Sequence, residues 1–246
     1  MALMHGLPNE RQAVILAGGL GTRMRPITQT IPKPLILVAG KPFLAWQLEL
    51  LERGGMNRAL LLVGYLGEQI EGCIGNGEAF GCSVDYSYEP FPLGTGGALK
   101  NAERKLEDWF VLVNGDTYLS IDYPMLVRDF NARNCTAMIV AYEKPAVASQ
   151  DVPASALPGN LGVRADHVVT AYRKREPAGL EHIDAGVIVL RKDVLAGLPS
   201  GEKCSLEEEI YPRLISRGEM RAWVTREPFY DMGSPAGLAA LEAKLG

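Results

Sequence analysis

The sequence predicts an α/β fold in which a doubly wound, mostly parallel sheet carries helices on both faces. Residues 12–17, 58–63 and 109–113 form apolar, β-prone runs with the character of strands buried on both sides. Between the first two runs, residues 42–53 space their large apolar side chains as a helix does, and Gly54 follows as a helix C-cap. This strand, helix, strand order is typical of parallel sheets with crossover helices.

The second half of the chain changes in character. Residues 143–160, EKPAVASQDVPASALPGN, are rich in Ala, Pro and Ser, which predicts a long surface loop or hinge. Short strands are expected at the following places: residues 161–164, 168–172 and 185–190. Ser205 and Glu208 fit a capping box, so a helix should run from Ser205 to about Arg217. A last helix is predicted over residues 235–245.

Composition excludes several classes of protein. The 246 residues are 47% hydrophobic and 22% charged, as expected for a globular protein with a full-sized core. The net charge of −4 argues against a general nucleic-acid binder. No apolar run approaches the roughly 20 residues that span a bilayer, and the first residues do not resemble a signal peptide. The 4 cysteines follow no disulfide or zinc spacing, which indicates free thiols in a reducing compartment. We therefore expect a cytoplasmic protein without nucleic-acid or membrane partners; a homodimer is allowed.

The stretch AVILAGGLGTRMRPITQTIPKPLI has the composition of a ligand-binding segment, with a glycine cluster followed by Arg23, Arg25 and Lys33. Gly18, Gly19 and Gly21 follow the first strand at its carboxyl end, where ligands of open α/β sheets bind and glycine exposes backbone N–H groups. The P-loop pattern GxxxxGK[ST] does not occur here, and GxGxxG fails at Met24. The glycines alone also fit a tight turn, so the neighbouring residues must decide.

The longer segment LAGGLGTRMRPITQTIPKPL resembles the signature of the sugar-1-phosphate nucleotidyltransferases, LAGGxGTRLxPxTxxxPKPxxP. The resemblance covers residues 11–245, because EPFPLGTGGALKNAE is similar to the family's base-binding loop, FVLVNGDTY to its metal-binding strand end, and FYDMGSPAGLAAL to its closing segment. It implies the Rossmann-like nucleotide-diphospho-sugar transferase fold. The domains would be an N-terminal tail (1–11) and one domain (12–246) with a nucleotide-binding half (12–142) and a sugar-binding half (143–246).

The implied reaction joins two polyanions. A sugar 1-phosphate attacks the α-phosphorus of a nucleoside triphosphate, and pyrophosphate leaves by in-line displacement without a covalent enzyme intermediate. By resemblance, Arg23 contacts the triphosphate and departing pyrophosphate, and Lys33, held between two prolines, lies against the reacting phosphates. The other residues assigned to the nucleotide are Leu16, Ala17, Gly18, Gly19, Gly21, Thr22, Glu89, Gly94 and Thr95.

Two carboxylates are candidates for a Mg²⁺ site. Asp116 ends the run FVLVNGD, so its carboxylate projects from the carboxyl end of a buried strand. Asp231, in FYDMG, matches the family's second carboxylate. Two acids with phosphate oxygens and water make an ordinary magnesium shell.

The base pocket is predicted in YEPFPLGTGGA, residues 88–98. Gly94, Gly96 and Gly97 would let the backbone close on a flat ring. Glu89 stands where the family places a base-reading side chain, and a carboxylate matches the two N–H donors of guanine. This favours GTP, although Glu89 could instead bind a loop N–H.

The sugar side is assigned by resemblance. Lys174 would hold the sugar phosphate and Asp184 the sugar hydroxyls, unless Asp184 is a strand-edge residue that faces water. The remaining assignments on this side are Asn114, Gly115 and Gly186. The family often has Glu-Lys-Pro here and this chain reads YRKREP, which leaves open whether Arg173 or Arg175 replaces the acid.

Within the family, the heptose-1-phosphate guanylyltransferases are most similar, with the mannose-1-phosphate guanylyltransferases nearby. Three alternatives stay open: uridylyl or thymidylyl transfer to another sugar 1-phosphate, a non-catalytic nucleotide-sugar regulator, and a glycosyltransferase. A glycosyltransferase would need an Asp-x-Asp metal motif, and NGDTY supplies one acid.

Overall fold

The structure, a computed structural model, describes residues 11–145, 157–174 and 179–246. Most of the predicted tail and residues 146–156 of the predicted loop lie outside the described residues. The strands are β1 (Gln12–Leu16), β2 (Leu37–Val38), β3 (Lys41–Pro42), β4 (Arg58–Val63), β5 (Ser83–Tyr88), β6 (Trp109–Asn114), β7 (Thr117–Leu119), β8 (Ala137–Glu143), β9 (Leu161–Val163), β10 (Val169–Tyr172), β11 (His182–Arg191), β12 (Met220–Thr225) and β13 (Phe229–Asp231). The three strands predicted first begin at the predicted residues and end within one residue of the prediction.

The helices are α1 (Phe43–Arg53), α2 (Gly67–Ile74), α3 (Gly94–Asn101), α4 (Tyr123–Arg133), α5 (Tyr211–Ser216) and α6 (Pro235–Leu245). The first predicted helix is α1, and Gly54 is its C-cap, where its N–H donates to the Leu50 carbonyl at 3.1 Å. The left-handed backbone that favours glycine comes one residue later, at Gly55 (φ 76°). The last predicted helix, α6, has the predicted bounds.

The helix predicted from Ser205 begins differently. The Ser205 hydroxyl accepts the Glu208 N–H at 3.3 Å, as the capping box requires. The reciprocal bond comes from Glu209, whose Oε1 accepts the Ser205 N–H at 2.9 Å, so the assignment to Glu208 is wrong. The physical reason is the π-helical turn over Leu206–Ile210, which precedes α5 and brings the next carboxylate under Ser205.

The main sheet has 9 strands, in the order β10-β9-β11-β6-β1-β4-β5, with β8 beside β11 and β12 beside β8. Strands β6, β1, β4 and β5 run parallel to one another, which confirms the predicted parallel, doubly wound centre. Strand β11 runs antiparallel to β6 and continues the sheet into the second half of the chain. The boundary predicted at residues 142/143 stays a prediction, since one sheet runs through both halves.

Helices cover both faces of this sheet because alternate side chains of each central strand enter different apolar clusters. In β1, Ala13 and Ile15 pack with the cluster that holds α1 and α4, whereas Val14 packs with the cluster that holds α3 and α5. All three side chains are fully buried. No helix among the described residues is both long and apolar enough to cross a membrane.

Strand β1 lies at the point where the order of the sheet reverses. After β1 the chain adds β4 and β5 on one side, and β6 then pairs on the other side, with Leu16 opposite Asn114. Crevices at the carboxyl ends of strands at such a reversal are where open α/β sheets bind ligands. The glycine turn after β1 and Gly115 after β6 both open into this crevice.

Candidate active site

The crevice is a cleft of about 450 Å³. Of the residues predicted for the nucleotide and the reacting phosphates, the cleft is lined by Leu16, Ala17, Gly18, Gly19, Gly21, Thr22, Arg23, Lys33, Glu89, Gly94, Thr95, Asn114, Gly115 and Asp116. A second pocket of about 200 Å³ adjoins it and is lined by the predicted residues Lys174, Asp184 and Gly186. Residues that are far apart in the sequence thus line two adjoining cavities.

The glycine turn is held by its own contacts. Gly21 has φ 59°, a left-handed backbone, and its carbonyl accepts the Thr28 hydroxyl at 2.9 Å. Gly19 also lines the cleft, yet a Cβ there would meet no protein atom within 4 Å. The fold therefore gives Gly19 no steric reason to lack a side chain, and the space beside it is open to a ligand.

Two cations and two carboxylates converge around Gly233. Lys33 Nζ lies 2.5 Å from Asp116 Oδ2, and Arg23 Nη1 lies 3.8 Å from Asp231 Oδ2. A Cβ at Gly233 would come within 2.5 Å of Arg23 Nη2, 2.6 Å of Asp231 Oδ1 and 3.0 Å of Lys33 Nζ. A side chain at this position would separate the charges, so glycine lets them share one end of the cleft.

The charge of Asp116 acts on Asp231. Burial, and then the neighbouring Asp116 charge, raise the pKa of Asp231, while the Gly233 N–H and the two cations oppose the rise. Two carboxylates whose charges interact offer an oxygen donor set that a divalent cation would stabilise. Among the described residues, no group of three or more His, Cys, Asp and Glu side chains could hold a metal by itself. The donor set fits an ion that takes its remaining ligands from substrate and water.

Glu89 holds the loop that closes the cleft. Its Oε2 accepts the Leu93 N–H at 2.7 Å, and its Oε1 lies beside Gly18, where a Cβ would approach within 2.6 Å. Burial raises the pKa of Glu89, and the Leu93 N–H partly offsets the rise. The predicted loop N–H contact is therefore present, and it engages one of the two carboxylate oxygens.

The glycines of the predicted base loop pack against the 202–204 segment. A Cβ at Gly94 would lie 2.6 Å from the Cys204 carbonyl oxygen, one at Gly96 2.8 Å from Cys204 Sγ, and one at Gly97 2.6 Å from the Glu202 carbonyl oxygen. The Gly96 and Gly97 N–H groups both donate to the Cys204 carbonyl. These glycines are required for close backbone packing, whatever ligand the loop also meets.

In the smaller pocket, Asp184 is partly buried and well bonded. Its Oδ1 accepts the Gly186 N–H at 2.9 Å, and its Oδ2 accepts the Tyr172 hydroxyl at 3.0 Å. Burial raises the pKa of Asp184 to about 6, although both hydrogen bonds oppose the rise. Asp184 therefore faces an enclosed polar pocket, and the alternative of a water-facing strand edge is wrong.

Two glycines predicted for the sugar phosphate have structural reasons for their small size. A Cβ at Gly115 would lie 2.1 Å from the Leu16 carbonyl oxygen, because the ends of β1 and β6 approach closely there. Gly186 has φ 73° at an irregularity in the β11–β8 pairing, and a Cβ would lie 2.4 Å from Thr117 Oγ1. Both positions shape the cavity walls.

Lys174 has an acidic partner that sequence reasoning missed. Its Nζ lies 3.2 Å from Glu207 Oε2, and Glu207 lines both the cleft and the smaller pocket. An acid, Glu207, thus stands beside Lys174. The alternative between Arg173 and Arg175 stays open, because Arg175 lies outside the described residues. In the sequence, Glu207 is the first of three consecutive acids in the first turn of a predicted helix, a pattern typical of a helix surface that faces water. The Ser205 cap was the one local feature that could have drawn attention to Glu207.

Comparisons with known proteins agree with this geometry. A family model described as nucleotidyl transferase matches residues 12–150. The chain is 34% identical over 229 residues to a mannose-1-phosphate guanylyltransferase of Mycobacterium tuberculosis, covering 91% of this chain and 61% of that one. It is 31% identical to a D-glycero-alpha-D-manno-heptose 1-phosphate guanylyltransferase of Aneurinibacillus thermoaerophilus, covering 91% and 94% respectively.

Solved structures are similar over nearly the whole chain. HddC from Yersinia pseudotuberculosis, in a crystal structure complexed with GMP-PN, superposes with a TM-score of 0.81 at 31% identity, covering 96% of this chain and 100% of that one. The chain therefore spans about three fifths of the mycobacterial relative and all of this neighbour.

Proposed function

The chain belongs to the nucleotidyl transferase family, and from this premise we propose that it transfers the guanylyl group of GTP to a sugar 1-phosphate. The products would be a GDP-sugar and pyrophosphate. The observation that carries the proposal is the convergence of Arg23, Lys33, Asp116 and Asp231 at one end of a cleft that opens into a polar second pocket. The guanylyltransferase relatives and the GMP-PN complex of the Yersinia protein support GTP as the donor and a heptose or mannose type of acceptor.

The two spaces suit two substrates that must react at their junction. Leu16 and Asn114, opposite each other at the ends of β1 and β6, line both the cleft and the smaller pocket. A triphosphate in the cleft would then meet a sugar phosphate from the smaller pocket beside these residues. Holding both reactants at this junction would supply proximity and orientation, which lower the barrier to a reaction between two separate substrates.

Lys33 and Arg23 would neutralise the charge that gathers between the two anions. The Lys33 side chain is 11% exposed and ends beside Asp116, so its ammonium is fixed rather than free in solution. Arg23 is 67% exposed at the mouth of the cleft, where a planar guanidinium can bind two oxygens of a departing pyrophosphate. We assign the α-phosphate to Lys33 and the leaving group to Arg23.

Asp116 and Asp231 would hold Mg²⁺ together with substrate oxygens. When bound there, the ion would supply positive charge to the phosphates and help to align them. The chain would contribute the two carboxylates, and no third His, Cys, Asp or Glu side chain completes a metal cluster among the described residues. Lys33 and Arg23 partly offset the effect of the Asp116 charge on Asp231 before substrate arrives.

Glu89 is the candidate for base selection. One carboxylate oxygen fixes the loop through Leu93, and the other stands at the cleft wall beside Gly18. A carboxylate at this wall suits the N–H donors of guanine better than the carbonyl oxygens of thymine or uracil. We propose that Glu89 both positions the loop and favours GTP.

The proposal is tested by an assay of GTP, ATP, UTP and dTTP against mannose, heptose, glucose and amino-sugar 1-phosphates, with pyrophosphate release as the readout. We expect turnover with GTP and a mannose or heptose 1-phosphate. Turnover with UTP or dTTP would replace guanylyl by uridylyl or thymidylyl transfer. No pyrophosphate from any pair would refute the transferase and favour a regulator that binds nucleotide sugars.

A further inference from the structure

Glu207 stands between the two substrate spaces. Of the residues that line both the cleft and the smaller pocket in the described part of the chain, it is the ionisable one, beside Leu16 and Asn114. Its side chain is 14% exposed, in the π-helical turn that precedes α5. A carboxylate in a site for two polyanions repels both substrates unless neighbouring hydrogen-bond donors or a cation compensate its charge.

The negative charge of Glu207 is stabilised by three hydrogen bonds, all of which end on the same carboxylate oxygen. Glu207 Oε2 accepts from the Ser205 hydroxyl at 2.7 Å, from the Thr95 hydroxyl at 2.8 Å and from Lys174 Nζ at 3.2 Å. Burial would raise the pKa of Glu207, but these donors and the Lys174 charge outweigh burial and lower it. Glu207 is therefore an anion at neutral pH, and it partners the cation assigned to the sugar phosphate.

Thr95 connects the same carboxylate to the nucleotide loop. Its hydroxyl donates to Glu207 and accepts the Leu206 N–H at 2.9 Å, so residue 95 is tied twice to the turn. Gly96 and Gly97 are tied to the Cys204 carbonyl immediately beside it. The first turn of α3, which lines the cleft, and Lys174, which lines the pocket, thus meet at a single side chain.

We propose that Glu207 is a positioning residue that holds the Lys174 ammonium at the mouth of the smaller pocket and links it to the nucleotide loop through Thr95. The inference rests on the proposed function, because it gives Lys174 a sugar 1-phosphate to bind. The link makes binding of the two substrates interdependent: ordering of Thr95 by nucleotide orders Glu207, and Glu207 orders Lys174.

The central test is Glu207→Gln, which keeps size and a hydrogen-bond acceptor for Thr95 but removes the charge that holds Lys174. We expect the KM for the sugar 1-phosphate to rise about tenfold, with the KM for GTP changed less than about twofold. Glu207→Asp, which restores the charge, should recover part of the loss. Glu202→Gln removes the same charge from an exposed position in the preceding segment and should leave both KM values unchanged.

A second measurement does not depend on turnover. Acetylation of Lys174 by acetic anhydride at pH 8, followed by peptide mass spectrometry, reports how firmly the ammonium is held. The rate should rise severalfold in Glu207→Gln and stay at the wild-type value in Glu202→Gln. In the same experiment, a GTP analogue should slow acetylation of wild-type Lys174 and lose this effect in Thr95→Val, which removes the link.

Each outcome has one interpretation. An active wild type whose Glu207→Gln variant keeps both the KM for sugar 1-phosphate and the Lys174 acetylation rate overturns the inference. A uniform loss of kcat with a lower Tm, not recovered by Asp, also overturns it, because Glu207 would then be only structural. A wild type inactive with every substrate pair overturns the proposed function, while acetylation still decides whether Glu207 holds Lys174.

Discussion

On the nucleotide side of the site, one stretch from Leu16 to Lys33 supplies the glycine turn and both cations, whereas the smaller pocket combines the ends of β1 and β6 with β10, β11 and the turn before α5. The first side is built on parallel strands that the chain lays down early. The second depends on antiparallel strand β11 and on contacts between residues more than a hundred positions apart, such as the pair 111 residues apart that joins Thr95 and Leu206. Functional residues that lie in one segment can be recognised from the sequence as a motif. Functional residues that are brought together only by tertiary contacts cannot.

The strongest way to break the nucleotide side is Lys33→Ala. We expect turnover to fall about a thousandfold, because a fixed charge at the reacting phosphates is removed. The measurement is kcat from pyrophosphate release, with circular dichroism to verify the fold. Lys41→Ala is the matched control, since Lys41 pairs with Glu49 outside the cleft. A variant that keeps wild-type turnover would remove Lys33 from the mechanism.

Asp231→Asn should have the next largest effect. It removes one of the two carboxylates assigned to Mg²⁺, so we expect kcat to fall about a hundredfold and the Mg²⁺ concentration for half-maximal rate to rise about tenfold. A magnesium titration of the rate gives both numbers. Asp108→Asn changes a side chain that is 97% exposed and should behave as wild type. An unchanged magnesium requirement would contradict the assignment of Asp231 as a metal ligand.

Glu89→Gln separates two roles of one residue on the nucleotide side, namely holding the loop and selecting the base. The amide oxygen can still accept the Leu93 N–H, so the loop should stay in place while the negative charge is lost. If the carboxylate selects guanine, the ratio of kcat/KM for GTP over dTTP should fall about tenfold. Glu78→Gln, an exposed change, serves as control. An unaltered ratio would leave Glu89 with the loop contact alone.

Asp184→Asn tests the other side through stability. An acid whose folded pKa is raised, here from 3.8 to about 6, stabilises the fold most below its unfolded pKa, and this contribution is lost as the pH rises to 6. The Asn variant avoids that loss. Its free energy of unfolding should exceed that of the wild type by about 1 kcal/mol at pH 7.5, and the gain should vanish near pH 4.

Thermal unfolding of both proteins across this pH range measures the difference. Asp85→Asn, on the exposed face of β5, should not show it. A higher Tm together with a higher KM for sugar 1-phosphate would mark Asp184 as a residue kept for binding at the expense of stability. A gain that does not depend on pH would contradict the role given to its carboxylate.

The sequence predicted most of the fold because its signals are local. Apolar runs bounded by glycines placed β1, β4 and β6, and the predicted α6 agrees in its bounds. The capping box predicted at Ser205 is correct for the Ser205 cap and wrong for its acidic partner. Because the turn is π-helical, Glu209 rather than Glu208 accepts the Ser205 N–H. Backbone geometry of this kind depends on packing around the turn and leaves no periodic mark in the sequence.

The residues of the candidate site also divide into those that local sequence signals predicted and those that only the folded structure reveals. Lys33 and Asp116 could be assigned from a motif and a strand end, and the structure brings them into contact. Glu207 could not, because its partners Thr95 and Lys174 come from elements that meet only in the folded protein. The base-loop glycines were predicted for a ligand, although their nearest neighbours are Glu202 and Cys204.

The packing of α3 against Cys204 has a consequence for chain synthesis. The segment matched by the family model, residues 12–150, leaves the ribosome before β11, the antiparallel neighbour of β6, and before the carbonyl that receives the Gly96 and Gly97 N–H groups. Without these later residues, β6 would lack its partner at one edge, and an unpaired strand edge is a template for wrong pairing. The cleft is therefore complete only once residues 202–204 and Gly233, all translated after the segment that the family model matches, have packed against that segment.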